Sequence, residues 1–414
     1  MRDSIISGLN DPAKLEGLYR KNKAEFRKIF SSIYTEYRDL PIVQFWHERL
    51  NFESHEISWG SKKDWSFVII ASIIAGFLAK LPDIFFIDEE FFYPRNIGFL
   101  AFPFLSAFFI WKNNLSKKRI LLLIGVTAIS LLYINLLPAN PNSDTLFLAC
   151  IHLLLLLWGV FGLSFSGNDI HDQTKRLNFL SFTGELLVMS AMIVLAGIIL
   201  TGITIGLFEL IGLDIAEFYF RYIVVFALPA IPILACFLVF TNPNLVNKVS
   251  PVIAKIFSPA VLIMLSIYLA AIMYVGKDPY TDRDFLIIFN LLLIGVMALI
   301  FFSITEGWKE NRLGTNKYVL LPLSIVTTIV NLIALSAIIF RISEWGFTPN
   351  RLAVLGGNIL MLIHLIMVGF KILKCTFKKY PISEAGKAIV SYLPVYFVWI
   401  VVVIFLFPLI FNFK

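Results

Sequence analysis

Long unbroken apolar blocks alternate with short polar breaks along most of the chain, and this pattern sets the first reading. Apolar runs of about 17–25 residues mark membrane-spanning helices. They lie at 66–87, 95–111, 120–137, 144–165, 182–212, 217–240, 252–275, 284–305, 318–340, 351–373 and 389–411. The expected fold is all-α: a polytopic transmembrane helix bundle of about 11 spans over 66–414. The 95–111 run is the shortest. The 182–212 run is too long for a perpendicular crossing, so its helix should tilt, kink or protrude.

Residues 1–65 read differently, as a short cytosolic helical segment. Asp11 and Pro12 form an N-cap with proline at the first helical position. Leu15, Leu18, Tyr19, Phe26, Ile29, Phe30, Ile33, Tyr34 and Tyr37 then recur at helical spacing, opposite Lys14, Lys21, Arg27, Lys28 and Arg38. A second amphipathic piece runs from Ile42 to Leu50 through Phe45-Trp46-His47-Glu48-Arg49. Such helices lie on an anionic leaflet or pack beneath a bundle; alternatively, they dock a partner protein.

Loop charge gives the threading a direction. With a cytosolic N-terminus, 27 of the 35 Lys/Arg fall inside. The 8 outside are Lys80, Arg95, Arg221, Lys277, Arg283, Arg341, Arg351 and Lys414. Positive residues collect on the cytoplasmic side, so the expected topology is N-in, C-out. No apolar signal-peptide core is read in the first 60 residues, so the first span is expected to direct insertion.

Composition agrees. Hydrophobic residues make up 58% and charged residues 15%, too little charge to cover a water-soluble surface. The net charge of +7 sits in loops between spans, which fits topology and not a nucleic-acid face. Cys150, Cys236 and Cys375 show no CxxC or pairing pattern, so neither a disulfide framework nor a zinc site is expected. No internal repeat is read. HExxH, P-loop and GxSxG motifs are absent, and no cofactor or metal is expected.

Candidate chemistry centres on Arg341-Ile-Ser-Glu344-Trp345-Gly346-Phe347-Thr348-Pro349-Asn350-Arg351, an external connection between two spans. As a hairpin, Thr348 caps the next helix, Gly346 turns the chain and Glu344 pairs with an arginine. As a site, Arg341 and Arg351 beside a helix N-terminus would take a phosphate or carboxylate, with Asn358 leading inward. Other polar residues within spans are His152, Asn290, Asn331 and His364, with Glu185 and Glu209 towards the ends of the fifth span. Gly357, His364 and Lys371 share a helix face and form a candidate proton or solute stripe. Gly202 and Gly206 form a close-packing pair, and Pro229 with Pro232 should kink or interrupt the sixth span. Asp169, His171 and Asp172, like Asp278, Asp282 and Asp284, read as solvated loops.

The pattern Arg-Ile-x-Glu, aromatic, Gly, apolar, Thr, two residues, Arg resembles the signature of a bacterial family known as domain of unknown function 4153. Leu18-Tyr19-Arg20 and Phe45-Trp46-His47-Glu48-Arg49-Leu50 resemble its members too. Trp345-Gly346-Phe347 stands where many members carry Tyr-Gly-Leu. The resemblance implies a multipass protein of the bacterial inner membrane and transfers no mechanism.

Three functions stay open. The first is permease-like handling of a small, possibly anionic solute through Arg341, Glu344, Thr348, Arg351, Asn358 and His364. The second is a scaffold or sensor working through the N-terminal helices. The third is a membrane enzyme on lipid-linked substrates, using His152, His364 and Glu185 or Glu209.

Overall fold

The computed structural model describes residues 2–9, 11–21, 23–51, 59–140, 142–210, 213–243, 249–275, 280, 283–309, 317–377 and 380–414. The acidic turn at Asp278 and Asp282 lies outside the described residues. The chain divides into two compact units, Met1–Ser58 and Trp59–Lys414.

The first unit holds α1 (Arg2–Ile6), α2 (Pro12–Lys21), α3 (Lys23–Tyr37) and α4 (Pro41–Asn51). Asp11 caps α2, its carboxylate accepting from the backbone N–H groups of Ala13 and Lys14, each at 3.1 Å. The apolar stripe turns inward: Leu15, Phe26, Phe30, Ile33, Val43 and Trp46 are buried against one another. The Trp46 ring lies 5.2 Å from Phe26 and 5.5 Å from Tyr19. Arg49 covers Trp46 at 4.6 Å and pairs with Glu16 at 2.9 Å. These faces form a small core of their own, where an unfolded stripe would need lipid to cover it.

The second unit is all-helical among the described residues. Its helices are α5 (Lys62–Ala79), α6 (Leu81–Phe85), α7 (Glu89–Asn96), α8 (Phe102–Lys112), α9 (Lys117–Leu136) and α10 (Asp144–Ser166). They continue with α11 (Gln173–Leu210), α12 (Ala216–Thr241), α13 (Val249–Val275), α14 (Arg283–Lys309), α15 (Lys317–Trp345), α16 (Pro349–Phe377) and α17 (Ser383–Ile410).

Among the described residues, 8 helices are long and apolar enough to cross a membrane: α9 to α12 and α14 to α17. This is fewer than the expected count, and three runs account for the difference. The 66–87 run ends its helix at Ala79, because Pro82 follows and Phe86 turns left-handed at φ 53°. That helix also opens on the charged Lys62, Lys63 and Asp64. The 95–111 run breaks into a 3-10 turn, Ile97–Leu100, and the 11-residue α8, which starts on Phe102-Pro103. In the 252–275 run, the described apolar stretch is Lys255–Ala270. At the first two of these runs, proline and terminal charge shorten or split the helix, whereas the third lies in the continuous helix Val249–Val275.

Two polar belts hold opposite ends of the helices. One joins Asp64 to Lys112 at 2.5 Å, Asn113 to the carbonyls of Ser164 and Phe165, Arg119 to the Gly167 carbonyl, and Lys371 to Glu384 at 3.4 Å. The other joins Lys80 and Arg221 to Asp83 and Asn96 to Asn135. There Arg95 also donates to the carbonyls of Ile134 and Leu137, and Thr145 N–H to the Lys414 carbonyl at 2.9 Å. The start of α5 meets the end of α8 in the first belt, and the end of α5 meets the start of α12 in the second. α5 therefore runs antiparallel to α8 and to α12, whereas α8 and α10, whose ends meet in the first belt, run parallel.

The prolines of the sixth apolar run leave Val225–Thr241 helical, with a π turn at Tyr219–Val224 just ahead of Pro229. A second π turn, Val402–Leu406, precedes Pro408. A wider turn relieves the clash and lost donor that proline imposes one turn upstream. The long α11 is 38 residues, roughly 57 Å. Its buried residues all fall between Leu177 and Met189; its second half is mostly exposed among the described residues, with Ile193 packed against the core.

Candidate functional site

The α15–α16 hairpin carries most of the expected site. Gly346 turns the chain at φ +75°, a value that glycine adopts without strain. Thr348 caps α16, its hydroxyl accepting from Arg351 N–H at 3.3 Å, and Pro349 opens the helix. The Arg351 guanidinium turns back on the end of α15, donating to the Trp345 and Gly346 carbonyls, each at 2.7 Å. Arg341 lies over the Trp345 ring at 5.3 Å. Glu344 is exposed, and among the described residues no ion pair joins it to Arg341 or Arg351, the pairing the sequence offered.

Deeper in the bundle, Asn358 and His364 on α16 and Asn331 on α15 are all buried, at 1%, 0% and 0% exposure. The Gly357, His364 and Lys371 stripe follows α17 along its length. Trp399 sits over neighbouring Gly356, His364 lies against Tyr392 and Tyr396, and Lys371 pairs with Glu384. Nδ1 of His364 is 3.3 Å from the Tyr396 hydroxyl, and its ring is 4.6 Å from Phe301 on α14. Among the described residues, both amide atoms of Asn331 and Asn358 find no hydrogen-bond partner, and the His364 ring also meets the backbone of Ala388 and Ile389 on α17.

A separate pair escaped the sequence reading. The Ser181 hydroxyl donates to Glu306 at 2.7 Å and lies 3.4 Å from a Glu185 oxygen, all three buried. Glu306 falls one residue past the expected 284–305 span. Glu209 stands exposed 24 residues beyond Glu185 on α11 and does not join them. Asp172 caps α11 through Thr174 N–H at 2.8 Å. All three cysteines are free and buried. Among the described residues, no group of three or more His, Cys, Asp or Glu could hold a metal ion.

The cavity lies away from the hairpin arginines. A groove of about 570 Å³ opens between α10, α11, α14, α16 and α17. Its walls are apolar and aromatic, including Trp158, Phe302, Tyr396, Phe397 and Trp399. None of its lining residues is Asp, Glu, Lys or Arg. Its polar points are few. Trp158 donates to the Thr183 hydroxyl at 3.2 Å. His152 Nδ1 is 2.8 Å from the Leu148 carbonyl. A carbonyl only accepts, so that nitrogen carries the proton and Nε2 is left as an acceptor. Leu155, Leu187 and Ile294 line the groove and also face outward, which opens it sideways between helices.

Of the six expected site residues, the structure brings Asn358 and His364 into the packed interior and keeps Arg341, Glu344, Thr348 and Arg351 in the hairpin. None of the six lines the groove. The groove wall was hidden in the sequence because lipid-facing and cavity-facing aromatics look alike; only helix packing separates them. No family model matches the chain, no curated protein matches it, and no solved structure matches it.

Proposed function

We propose that the protein is a permease-like, multipass protein of the bacterial inner membrane that handles an apolar, membrane-dissolved solute in the α10–α11–α14–α16–α17 groove. The observation that carries this is the groove itself: about 570 Å³, uncharged, walled by aromatic rings and open sideways. Ligand sites of roughly 300–1,000 Å³ with mostly apolar walls and a few polar groups suit molecules of this kind. The geometry favours an apolar solute over an anion, because Arg351 is engaged with the carbonyls of its own hairpin and the groove holds no cation. The two polar belts favour a full threading of eleven crossings, N-in and C-out, with α5, α8 with its preceding 3-10 turn, and α13 as the additional passages. The 27-to-8 distribution of Lys/Arg supports the same direction. The likeness of Arg341–Arg351 to domain of unknown function 4153 fits this placement.

Photolabelling tests it. A diazirine-bearing fatty alcohol in membranes containing the protein should label α10, α11 and α14 peptides around the groove, competed by excess unlabelled alcohol. Ala298→Trp, which fills the groove from α14, should abolish that labelling without loss of membrane insertion. Uniform labelling of all lipid-facing helices, unchanged by Ala298→Trp, would remove the proposal.

A second reading rests on the separate core of Met1–Ser58. A self-contained helical unit suits a scaffold or sensor role at the cytosolic face. Deleting residues 1–58 should then remove a co-purifying partner while groove labelling persists; unchanged partners would count against it.

A further inference from the structure

Among the residues lining the groove, only His152, Trp158, Thr183, Tyr396 and Trp399 carry side-chain nitrogen or oxygen. Four of them are engaged or closed off. Trp158 donates to the Thr183 hydroxyl at 3.2 Å, which donates in turn to the Phe179 carbonyl at 2.9 Å. The Tyr396 hydroxyl donates to the Met297 sulfur at 3.7 Å and stands 3.3 Å from His364 Nδ1. Trp399 Nε1 has no partner among the described residues, but the protein encloses it. His152 is different. Its Nδ1 proton goes to the Leu148 carbonyl, so Nε2 presents a lone pair. That nitrogen has no partner among the described residues and, unlike Trp399 Nε1, is not enclosed.

Helix register places this acceptor at one end of the groove. Gly162 meets Phe179 and Trp158 meets Thr183, so α10 and α11 are antiparallel. Ser181 meets Glu306 and Gly184 meets Phe302, so α11 and α14 are antiparallel too. Trp158, Thr183 and Phe302 therefore share one level. His152 lies six residues back along α10, roughly 9 Å, and Ile294 eight residues back along α14, roughly 12 Å. Ile294, Leu155 and Leu187 face outward at that end. His152 is also eight residues past Asp144, roughly 12 Å inside the start of α10. At that depth there is no bulk water to satisfy an imidazole nitrogen, and buried polar groups are generally paired.

We propose that the groove takes a neutral lipid alcohol, its hydroxyl donating to His152 Nε2 and its apolar body running towards Trp158 and Phe302. The inference rests on the groove reading and names the chemistry of its solute. An open acceptor calls for a donor. An ester or ketone brings none. An amide brings one, but also a strong carbonyl acceptor that no open side-chain donor would meet, and an unmet polar group is costly. An ammonium or a carboxylate would enter a groove whose lining holds no charged side chain to balance it. A single hydroxyl satisfies the imidazole and adds no charge. The aromatic walls beyond it receive a hydrocarbon body.

Competition photolabelling on the whole protein in lipid nanodiscs tests this. The label is a diazirine-bearing alkane without a hydroxyl. The competitors are hexadecanol, hexadecyl methyl ether and palmitate, compared by mole fraction in the bilayer. In the unaltered protein, hexadecanol should halve groove labelling at roughly a two- to tenfold lower mole fraction than the ether, the worth of one hydrogen bond, and palmitate should compete less well than the alcohol. His152→Phe keeps a ring and removes the acceptor, so alcohol and ether should become equal. His152→Gln returns an acceptor and should part them again. Equal competition by alcohol and ether in the unaltered protein overturns the inference, and needs no variant to fold. So does a preference that survives His152→Phe, or palmitate competing best. In each of these cases groove labelling persists and the groove reading stands. Labelling spread evenly over all lipid-facing helices removes the groove reading, and this inference with it.

Discussion

Arg351 closes its own hairpin by donating from one guanidinium nitrogen to the Trp345 carbonyl at the end of α15, at 2.7 Å, and to the adjacent Gly346 carbonyl. The last carbonyls of a helix have no intrahelical partner, and a charged donor satisfies two neighbouring ones at once. Arg351→Ala should therefore destabilise the folded bundle by about 1 kcal/mol, below the range of about 1.5–3 kcal/mol for charged hydrogen bonds because water can replace the donor at this partly exposed site. The unfolding midpoint in detergent measures it. An unchanged midpoint with loss of anion binding would instead make the hairpin a solute site.

Gly356 seats Trp399 on α16, and a Cβ there would lie 2.0 Å from the Trp399 ring. Alanine favours a helix by about 1 kcal/mol over glycine, but forcing the ring away costs about 1–3 kcal/mol. Gly356→Ala should be net destabilising. Adding Trp399→Leu should recover part of the loss, so the double variant falls short of the sum of the two. A double-mutant cycle on unfolding midpoints checks this, with additivity as the contrary result.

Acid should loosen the junction of α5 and α8. Burial pushes the Asp64 carboxyl up, but hydrogen bonds from Lys112 and from the Ser61 backbone and hydroxyl outweigh it and hold it below the usual aspartate range. A depressed folded value contributes stability that is present above the unfolded value, near 4, and is lost as pH falls through the folded value. The midpoint of the unaltered protein should drop as pH falls below about 4, and Asp64→Asn should lose this contribution at neutral pH and flatten the acid limb. Matching pH profiles for the two proteins would exclude the linkage.

The first unit has little stability to spare. Trp46 packs on Tyr19 and Phe26 and supports Arg49, and truncating a buried tryptophan costs about 3–5 kcal/mol. In a unit of Met1–Ser58 that exceeds or nearly matches the total margin. With Trp46→Ala, hydrogen exchange should lose its protection in α2 to α4 and keep it in α9 to α12 and α14 to α17. Retained protection in α2 to α4 would mean that the unit is held by something beyond its own core.

Much of the architecture was legible because it follows from local chemistry. Apolar runs at 120–137, 144–165 and 351–373 are long enough to need lipid, and each is a long helix in the structure. Asp11-Pro12 and Thr348-Pro349 set helix starts by short-range geometry. Other runs were legible as apolar but not as continuous. The split at 95–111 depends on Pro103 and on Arg95 reaching the carbonyls of another helix, Ile134 and Leu137.

The site divides along the same line. The sequence alone determined that polar residues such as Asn331, Asn358 and His364 sit within apolar runs, since a helix of known start fixes each residue's depth. Only the tertiary structure decided their partners. It gave Arg351 to its hairpin, set His364 behind Tyr396, joined Ser181 to Glu306, and gathered Trp158, Phe302 and Trp399 around one groove. In a membrane the outside of a bundle is as apolar as its inside, so hydrophobic pattern cannot tell which face meets a neighbour and which meets lipid. Steric fit between helices makes that choice, as Gly184 under Phe302 and Gly356 under Trp399 do here.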